Sequence, residues 1–225
     1  MDIPEAQPMI CAQLPHENTR GLYWRMVLER NIGILFSLTS ARDCMKQVGS
    51  GFASSAVPIV PLQEGRPADE FWPLLGKTCL FKDADIEVKQ VDYSGPPISA
   101  LRAEFEIREF VITDLKTKTQ KTVKMVRYQS WGDGSSPTTH NDIKEFSNLL
   151  KIMQLPGGIC LNCRASVGRS GTLAAYLILD SLRSAGVPLT MHLILSVIEV
   201  IRKNRHFQMI QTQQQWNTLM HVLTP

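Results

Sequence analysis

The chain has 225 residues, of which 44% are hydrophobic and 20% are charged, with a formal net charge of +3. Such a chain can bury a sizeable core as a single domain. Its mild charge argues against nucleic-acid binding, which calls for a concentrated basic surface. The same charge is compatible with an anionic substrate. No apolar stretch approaches the roughly 18 residues of a membrane span, and the first residues carry no signal-peptide pattern.

The first half of the chain predicts one helix followed by strands. Apolar residues at helical spacing predict a helix over 19–30, and the apolar run 32–38 predicts a buried strand. The Gly/Ser-containing stretch 48–56 reads as a loop, and strand-like residues follow it at 57–61. Alternation of apolar and polar residues over 85–128, interrupted by a polar stretch, predicts an antiparallel hairpin in the middle of the chain.

The last third predicts helices around one more strand. An amphipathic helix is expected over 141–153, a short apolar strand over 158–161, and a strong helix over 171–183. Thr190 and Thr212 are candidate N-caps for two further helices. Sheet in the middle with helices around it predicts one domain of the α/β (α+β) class.

A loop between that strand and the strong helix carries the clearest chemical signal. Cys163 follows the strand, and Arg169 comes after it with five residues in between. A tight loop here can point backbone N–H groups inward as an anion-binding nest, and the helix adds the positive end of its dipole. An arginine fork can bind two phosphate oxygens together. The predicted phosphate-binding residues are Arg164, Ala165, Ser166, Val167, Gly168 and Arg169.

The same positive potential favours the thiolate form of Cys163, which can attack phosphorus and form a phosphocysteine. The hydroxyl of Ser170 can donate to the sulfur as it leaves in the second step. Cys160 and Cys163 also form a C-x-x-C pair, but residues three apart on a strand lie roughly 10 Å from each other, too far for a disulfide. No second such pair or histidine cluster has zinc-ligand spacing, so no redox or metal site is predicted.

Two polar segments offer the remaining groups that phosphate-ester hydrolysis requires. Residues 131–137 form a glycine-containing loop in which Trp131 can anchor one end and Asp133 can protonate the leaving oxygen. Gln211 and Gln215 flank the start of the last helix, where an amide can orient a water molecule. Taken alone, the first segment is more typical of an ordinary turn and the second of an ordinary polar helix start.

Together the three segments resemble the protein tyrosine phosphatase family. The family's H-C-x-x-G-x-x-R-[ST]-G is similar to residues 162–171, its W-P-D to 131–133, and its Q-T-x-x-Q to 211–215. Residues 10–15 and 23–27 are similar to the family's segment before its first long helix and to that helix. The resemblance covers nearly the whole chain and implies a twisted mixed sheet flanked by helices, with the phosphate-binding loop between a strand and a helix.

The resemblance implies a role for each site residue. Cys163 is the expected nucleophile, Arg169 the phosphate ligand, Asp133 the general acid and then base, and Gln211 the residue that positions water. Supporting roles fall to Trp131, to Gln215, and to Asp43 as the carboxylate that braces the loop arginine. No cofactor is implied.

The expected partners are proteins that contain phosphotyrosine. The chain is expected to be a monomer in a reducing cytoplasm. The compact build and the arginine after the nucleophile are similar to the phosphatase effectors that bacterial pathogens inject into host cells, and such an effector would act in the host cytosol.

Three departures from the family pattern keep other interpretations open. Asn162 stands where the family has histidine, Ser166 where it has glycine, and Gly132 where it has proline. These favour a pseudophosphatase that binds phosphorylated partners without turnover as one alternative. The family's N-terminal phosphotyrosine-recognition segment is also expected to be lacking, which leaves phosphoserine/threonine or a phosphoinositide as alternative substrates.

Overall fold

The computed structural model describes residues 8–39, 62, 70–91 and 105–224. Seven strands and five α-helices lie in these ranges. The strands are β1 (Met9–Gln13), β2 (Ile32–Ser37), β3 (Thr78–Phe81), β4 (Ile86–Val91), β5 (Phe105–Asp114), β6 (Gln120–Tyr128) and β7 (Gly158–Cys163). The helices are α1 (Arg20–Glu29), α2 (His140–Met153), α3 (Gly168–Ser184), α4 (Met191–Asn204) and α5 (Gln213–Leu223).

The strands form one mixed sheet in the order β1-β7-β2-β6-β5-β4-β3. The first four strands in that order pair in parallel, and β6, β5, β4 and β3 pair in antiparallel fashion. The α/β (α+β) class and the antiparallel middle predicted from the sequence are therefore confirmed. The parallel half is buried by helices, which agrees with the continuous apolar runs of β2 and β7.

Each face of the sheet is covered by its own apolar cluster. One cluster joins the sheet to α2, α3, α4 and α5, and it includes Cys163. The other joins the opposite face to α1 and to the segment around Trp72, and it includes Tyr23 and Cys160. Because side chains alternate along a strand, Cys160 and Cys163 of β7 lie on opposite faces. This agrees with the expectation that they do not form a disulfide.

The two threonines predicted as N-caps stand at the start of the last two helices. The Thr190 hydroxyl accepts from the Leu193 N–H at 3.2 Å, and Thr212 accepts from the Gln215 N–H at 3.3 Å. The predicted loop over 48–56, the strand-like stretch over 57–61 and Asp43 lie outside the described residues. No helix in the described ranges is both long and apolar enough to span a membrane.

A glycine before β7 allows β7 and its neighbour β2 to begin close together. Gly157 has φ of +106°, and a Cβ atom placed there would lie 2.1 Å from the backbone oxygen of Asn31. The same oxygen accepts a hydrogen bond from the Gly158 N–H at 2.9 Å. A side chain at position 157 would therefore displace the start of the strand that leads to Cys163.

We expect Gly157→Ala to lower the free energy of unfolding by about 3 kcal/mol, because backbone strain and a clash with an immobile carbonyl add together. Gly186→Ala is the matched control, since Gly186 has φ of +81° but open space around it. That variant should lose only about 1 kcal/mol, from backbone strain. Urea denaturation measures both, and equal losses would show that the approach to Asn31 is not tight.

Candidate active site

Strand β7 runs through the predicted nucleophile, and helix α3 starts directly after the loop. Cys163 is the last residue of β7 and is 2% exposed. Helix α3 begins at Gly168, three residues earlier than the sequence predicted, so Arg169 and Ser170 lie in its first turn. The Leu14 N–H donates to the Cys163 carbonyl at 2.9 Å and to the Arg164 carbonyl at 3.3 Å. The end of β1 thereby holds the start of the loop.

Ser166 occupies a backbone conformation that favours glycine. Its φ is +57°, in the left-handed region, and the residue is fully buried. Its hydroxyl has no hydrogen-bond partner among the described residues. A buried hydroxyl without a partner is unfavourable, and so is a left-handed backbone at a residue with a side chain. A glycine, which the family pattern has at this position, would remove both of these unfavourable contributions to stability.

Glycines at the start of α3 permit close approach by the segment around the start of α5. A Cβ at Gly168 would lie 2.7 Å from the amide nitrogen of Gln215, and one at Gly171 would lie 2.8 Å from the backbone nitrogen of Ile210. The segment before α5 therefore packs directly on the helix N-terminus beside the loop. Glycine is required at Gly171, where the neighbour is backbone, whereas a side chain at Gly168 would displace the Gln215 amide.

Arg169 joins the phosphate-binding loop to residues 131–137, the predicted acid loop. Its guanidinium is fully buried and donates to the Trp131 carbonyl at 2.8 Å and to the Asp133 carboxylate at 3.2 Å. The Asp133 side chain is 42% exposed, so one end of this ion pair faces solvent. The structure thus brings together the predicted phosphate ligand and the predicted general acid.

The acid loop is fastened at several points. The indole of Trp131 is fully buried and donates to the Ser135 carbonyl at 2.7 Å. The Thr212 hydroxyl donates to the Gly134 carbonyl at 2.9 Å, which ties the loop to the start of α5. Gly134 has φ of +73°, a backbone conformation that glycine adopts without strain. The prediction that Trp131 anchors the loop agrees with its burial.

The two candidate glutamines differ in their surroundings. Gln215 is fully buried, and its side-chain oxygen accepts from the backbone N–H groups of Gln211 at 2.8 Å and Thr212 at 3.3 Å. Its amide nitrogen has no partner among the described residues and lies over Gly168. Gln211 is exposed. The Gln211 side chain is thus open to solvent, whereas Gln215 supports the loop from within.

Two further thiols, Cys11 and Cys160, lie on the paired strands β1 and β7. Burial, reinforced by the nearby Cys163 sulfur, raises the pKa of Cys11 to about 12. Burial also raises the pKa of Cys160 to about 12, although its hydrogen bond with the Tyr23 hydroxyl opposes that shift. Both thiols therefore stay protonated near neutral pH. Within the described ranges no three His, Cys, Asp or Glu side chains are grouped to bind a metal ion.

The sequence model of the protein-tyrosine phosphatase family matches residues 1–224. The chain belongs to this family. Tyrosine phosphatase H3 of Microplitis demolitor bracovirus is 26% identical over 220 residues, which is 93% of this chain and 59% of that protein. Human tyrosine-protein phosphatase non-receptor type 13 is 22% identical over 224 residues, which is 96% of this chain but 8% of that protein.

A solved structure supports the same fold. The structure described as "Structural basis of PTPN18 fingerprint on distinct HER2 tyrosine phosphorylation sites" matches with a TM-score of 0.72 at 18% identity. The match covers 96% of this chain and 66% of that one. The twisted mixed sheet implied by the resemblance is therefore confirmed, while the likeness to bacterial effectors stays a prediction.

Tyr128 and Asp142 were not among the site residues predicted from the sequence. The Tyr128 hydroxyl donates to the buried Asp142 carboxylate at 2.6 Å, and the Thr139 N–H donates to the same oxygen at 3.0 Å. These contacts hold the two ends of the segment that contains the predicted acid loop. The spacing Thr139-x-x-Asp142 is a capping-box pattern, so the helix start was readable from the sequence. The contact with Tyr128, by contrast, depends on tertiary packing.

We expect Ser166→Gly to raise the free energy of unfolding by about 1 kcal/mol, because it removes left-handed strain and a buried, unpaired hydroxyl. Vanadate affinity should not fall, since backbone N–H groups form the proposed nest. The matched control is Lys118→Gly, at an exposed residue with φ of +60°. If the free energy of unfolding rises in both variants, the shared increase measures the relief of backbone strain. The additional increase in Ser166→Gly measures the removal of the buried hydroxyl. A loss of vanadate affinity in Ser166→Gly would contradict the prediction.

Iodoacetate near neutral pH should modify Cys163 and leave Cys11 and Cys160 intact, because thiols whose pKa is raised by burial are inert. Peptide mapping by mass spectrometry identifies the modified residue. Cys163→Ser serves as the control and should abolish the fast reaction. Modification of Cys11 or Cys160 at a comparable rate would show that burial does not protect them.

Proposed function

We propose that this chain is a protein-tyrosine phosphatase that hydrolyses phosphotyrosine through a phosphocysteine intermediate. The contact of Arg169 with both the Trp131 carbonyl and the Asp133 carboxylate carries the proposal. It joins the residue suited to bind phosphate to the residue suited to protonate the leaving group. A structural ion pair alone would not require a cysteine loop and a helix N-terminus beside it.

In the first step the Cys163 thiolate attacks phosphorus, and the bond from phosphorus to the tyrosyl oxygen breaks. The Asp133 carboxyl gives its proton to that oxygen, so tyrosine leaves as the neutral phenol. The backbone N–H groups of the loop and the Arg169 guanidinium stabilise the equatorial oxygens in the transition state. The product of this step is phosphocysteine on the enzyme.

In the second step water attacks the phosphocysteine. Asp133, now ionised, accepts the proton of the water, and the Cys163 sulfur leaves as thiolate with inorganic phosphate as product. The buried hydroxyl of Ser170 has no partner among the described residues and is available to donate to the departing sulfur. Gln211, exposed at the start of the α5 segment, is assigned to orient the water.

Phosphotyrosine in proteins is the proposed substrate. A second similar structure is described as PTPN18 in complex with HER2-pY1248 phosphopeptides, and its match covers 96% of this chain with a TM-score of 0.70. We extend that substrate class to this chain on the strength of the family and the site. The four cysteines in the described ranges are thiols, which suits a reducing compartment such as the cytoplasm. A monomer is the proposed state, since the site uses residues of one chain.

Loss of the general acid should slow turnover without abolishing binding. We expect Asp133→Asn to lower kcat by about 10²–10⁴-fold, with vanadate affinity little changed. The loss should be largest for aryl phosphates with poor leaving groups, because these need the proton most. Asp85→Asn is the control, since its side chain is 44% exposed against 42% for Asp133 and it lies in the antiparallel half of the sheet.

Initial rates on matched phosphotyrosine and phosphoserine peptides test the substrate class. The proposal expects phosphotyrosine to be hydrolysed, and Cys163→Ser to be inactive. Tight phosphopeptide binding with no release of phosphate by the unmodified protein would identify a pseudophosphatase and overturn the enzymatic proposal. Preference for the phosphoserine peptide would overturn the substrate class alone.

A further inference from the structure

Two histidines from different helices lie ring against ring on the face of the sheet that α2 and α5 cover. His140 is the first residue of α2, and His221 lies in the last turn of α5. Their ring centroids are 4.4 Å apart, and the ring planes are tilted by 38°. The two residues are far apart in sequence, so ligand spacing along the chain could not reveal the pair. The packing of α2 with α5 brings them together.

The His140 ring has a nitrogen that its surroundings leave without a partner. Its Nδ1 atom is buried and has no hydrogen bond to any of the described residues. Buried polar atoms in native proteins usually meet a partner, which can be an ordered water or a ligand. The His221 side chain is exposed, so solvent and small solutes reach the pair from that side. The pair therefore combines an unused nitrogen with an open approach.

The chemistry of imidazole selects the kind of ligand that this pair would bind. Imidazole nitrogen suits Ni²⁺, Cu²⁺ and Zn²⁺, whereas Mg²⁺ and Ca²⁺ prefer oxygen. Two imidazoles at right angles on one ion have ring centroids about 4.5 Å apart, given metal–nitrogen bonds of about 2.1 Å. The observed separation is 4.4 Å. The rings must turn about their Cβ–Cγ bonds to face a shared ion, and these torsions have broad energy wells.

The two helix ends at the pair have opposite effects on a cation. The C-terminal end of α5 carries partial negative charge near His221, which favours a cation. The N-terminal end of α2 carries partial positive charge near His140, which opposes one. Because these effects oppose each other, affinity must come from bonds to the imidazole nitrogens. Ions that bind nitrogen should therefore be selected over Mg²⁺.

We propose that His140 and His221 bind one transition-metal ion of the Ni²⁺, Cu²⁺ and Zn²⁺ class, with water completing its coordination. Helix α2 begins shortly after the predicted acid loop, so the ion would join the end of that segment to the last turn of α5. The site shares no residue with the proposed catalytic machinery. It is a second site, and it does not rest on the proposed function.

Calorimetric titration of Ni²⁺ into the untagged full chain tests the site. Every protein in the test carries Cys163→Ser, because a thiolate is itself a metal ligand. We expect one Ni²⁺ to bind per chain. His140→Phe and His221→Phe each keep an aromatic ring in the stack and remove its nitrogens. Each should weaken Ni²⁺ binding by about 10²-fold, because a two-point attachment becomes a single one.

The matched control is His192→Phe, which removes an exposed histidine of α4 and should leave the affinity for Ni²⁺ unchanged. Mg²⁺ should give no heat of binding. Ni²⁺ should raise the melting temperature of the Cys163→Ser chain, because an ion that binds the folded pair stabilises the folded state. It should not raise that of His140→Phe or His221→Phe. Melting curves without metal show whether each variant is folded.

A second measurement needs no histidine variant. Electron paramagnetic resonance of Cu²⁺ bound to the Cys163→Ser chain should show coupling to two imidazole nitrogens. Coupling to fewer than two would contradict a site made by the histidine pair.

Failure to bind Ni²⁺ would overturn the proposal and leave the two rings as a packing contact only. Binding that persists unchanged in His140→Phe and His221→Phe would overturn it too, because the ion would then lie elsewhere. None of these measurements uses turnover. A chain that binds Ni²⁺ at the pair but hydrolyses no phosphate ester would disprove the proposed function alone, and the reverse result would disprove the metal site alone.

Discussion

The site depends on the hydrogen bonds that the buried guanidinium of Arg169 makes. Arg169 lies in the first turn of α3, and its hydrogen bonds to the Trp131 carbonyl and the Asp133 carboxylate reach the loop that follows β6. A fully buried cation requires compensating partners, since an unpaired charge in the interior is strongly unfavourable. The acid loop satisfies that requirement. Phosphate would satisfy it equally well, so in the proposed mechanism substrate binding and placement of the general acid both depend on the charge of Arg169.

The sequence identified the parts of the site whose signals are local. The apolar run before Cys163, the helical pattern after it and the capping threonines are each contained within a few residues, and the structure confirms the strand, helices and caps that they predicted. The burial of Gln215 was not predictable, because it arises from packing of α5 on α3 over Gly168. Asp43 lies outside the described residues, and its role stays a prediction.

The departures from the family pattern have unequal structural consequences. At Ser166 the backbone keeps the left-handed geometry that suits glycine and carries a buried hydroxyl as well. At Asn162 the side chain finds two partners within the core, so that position is satisfied. Gly132 is exposed and only its backbone is used by neighbours, through the carbonyl that accepts from Ser135. The structural effect of each departure therefore depends on whether its own surroundings satisfy the new residue, and not on the number of departures.

The hydrogen bonds from Leu14 to the start of the phosphate-binding loop have a consequence for how the protein folds. Among the described strands β1 is the first in sequence and β7 the last, yet they pair residue by residue along the sheet. Contacts so distant in sequence form slowly, because a long loop must close before they stabilise the chain. The phosphate-binding loop therefore takes its final shape only once β1 and β7 have paired. The placement of the predicted nucleophile thus depends on one of the slow, long-range contacts of the sheet.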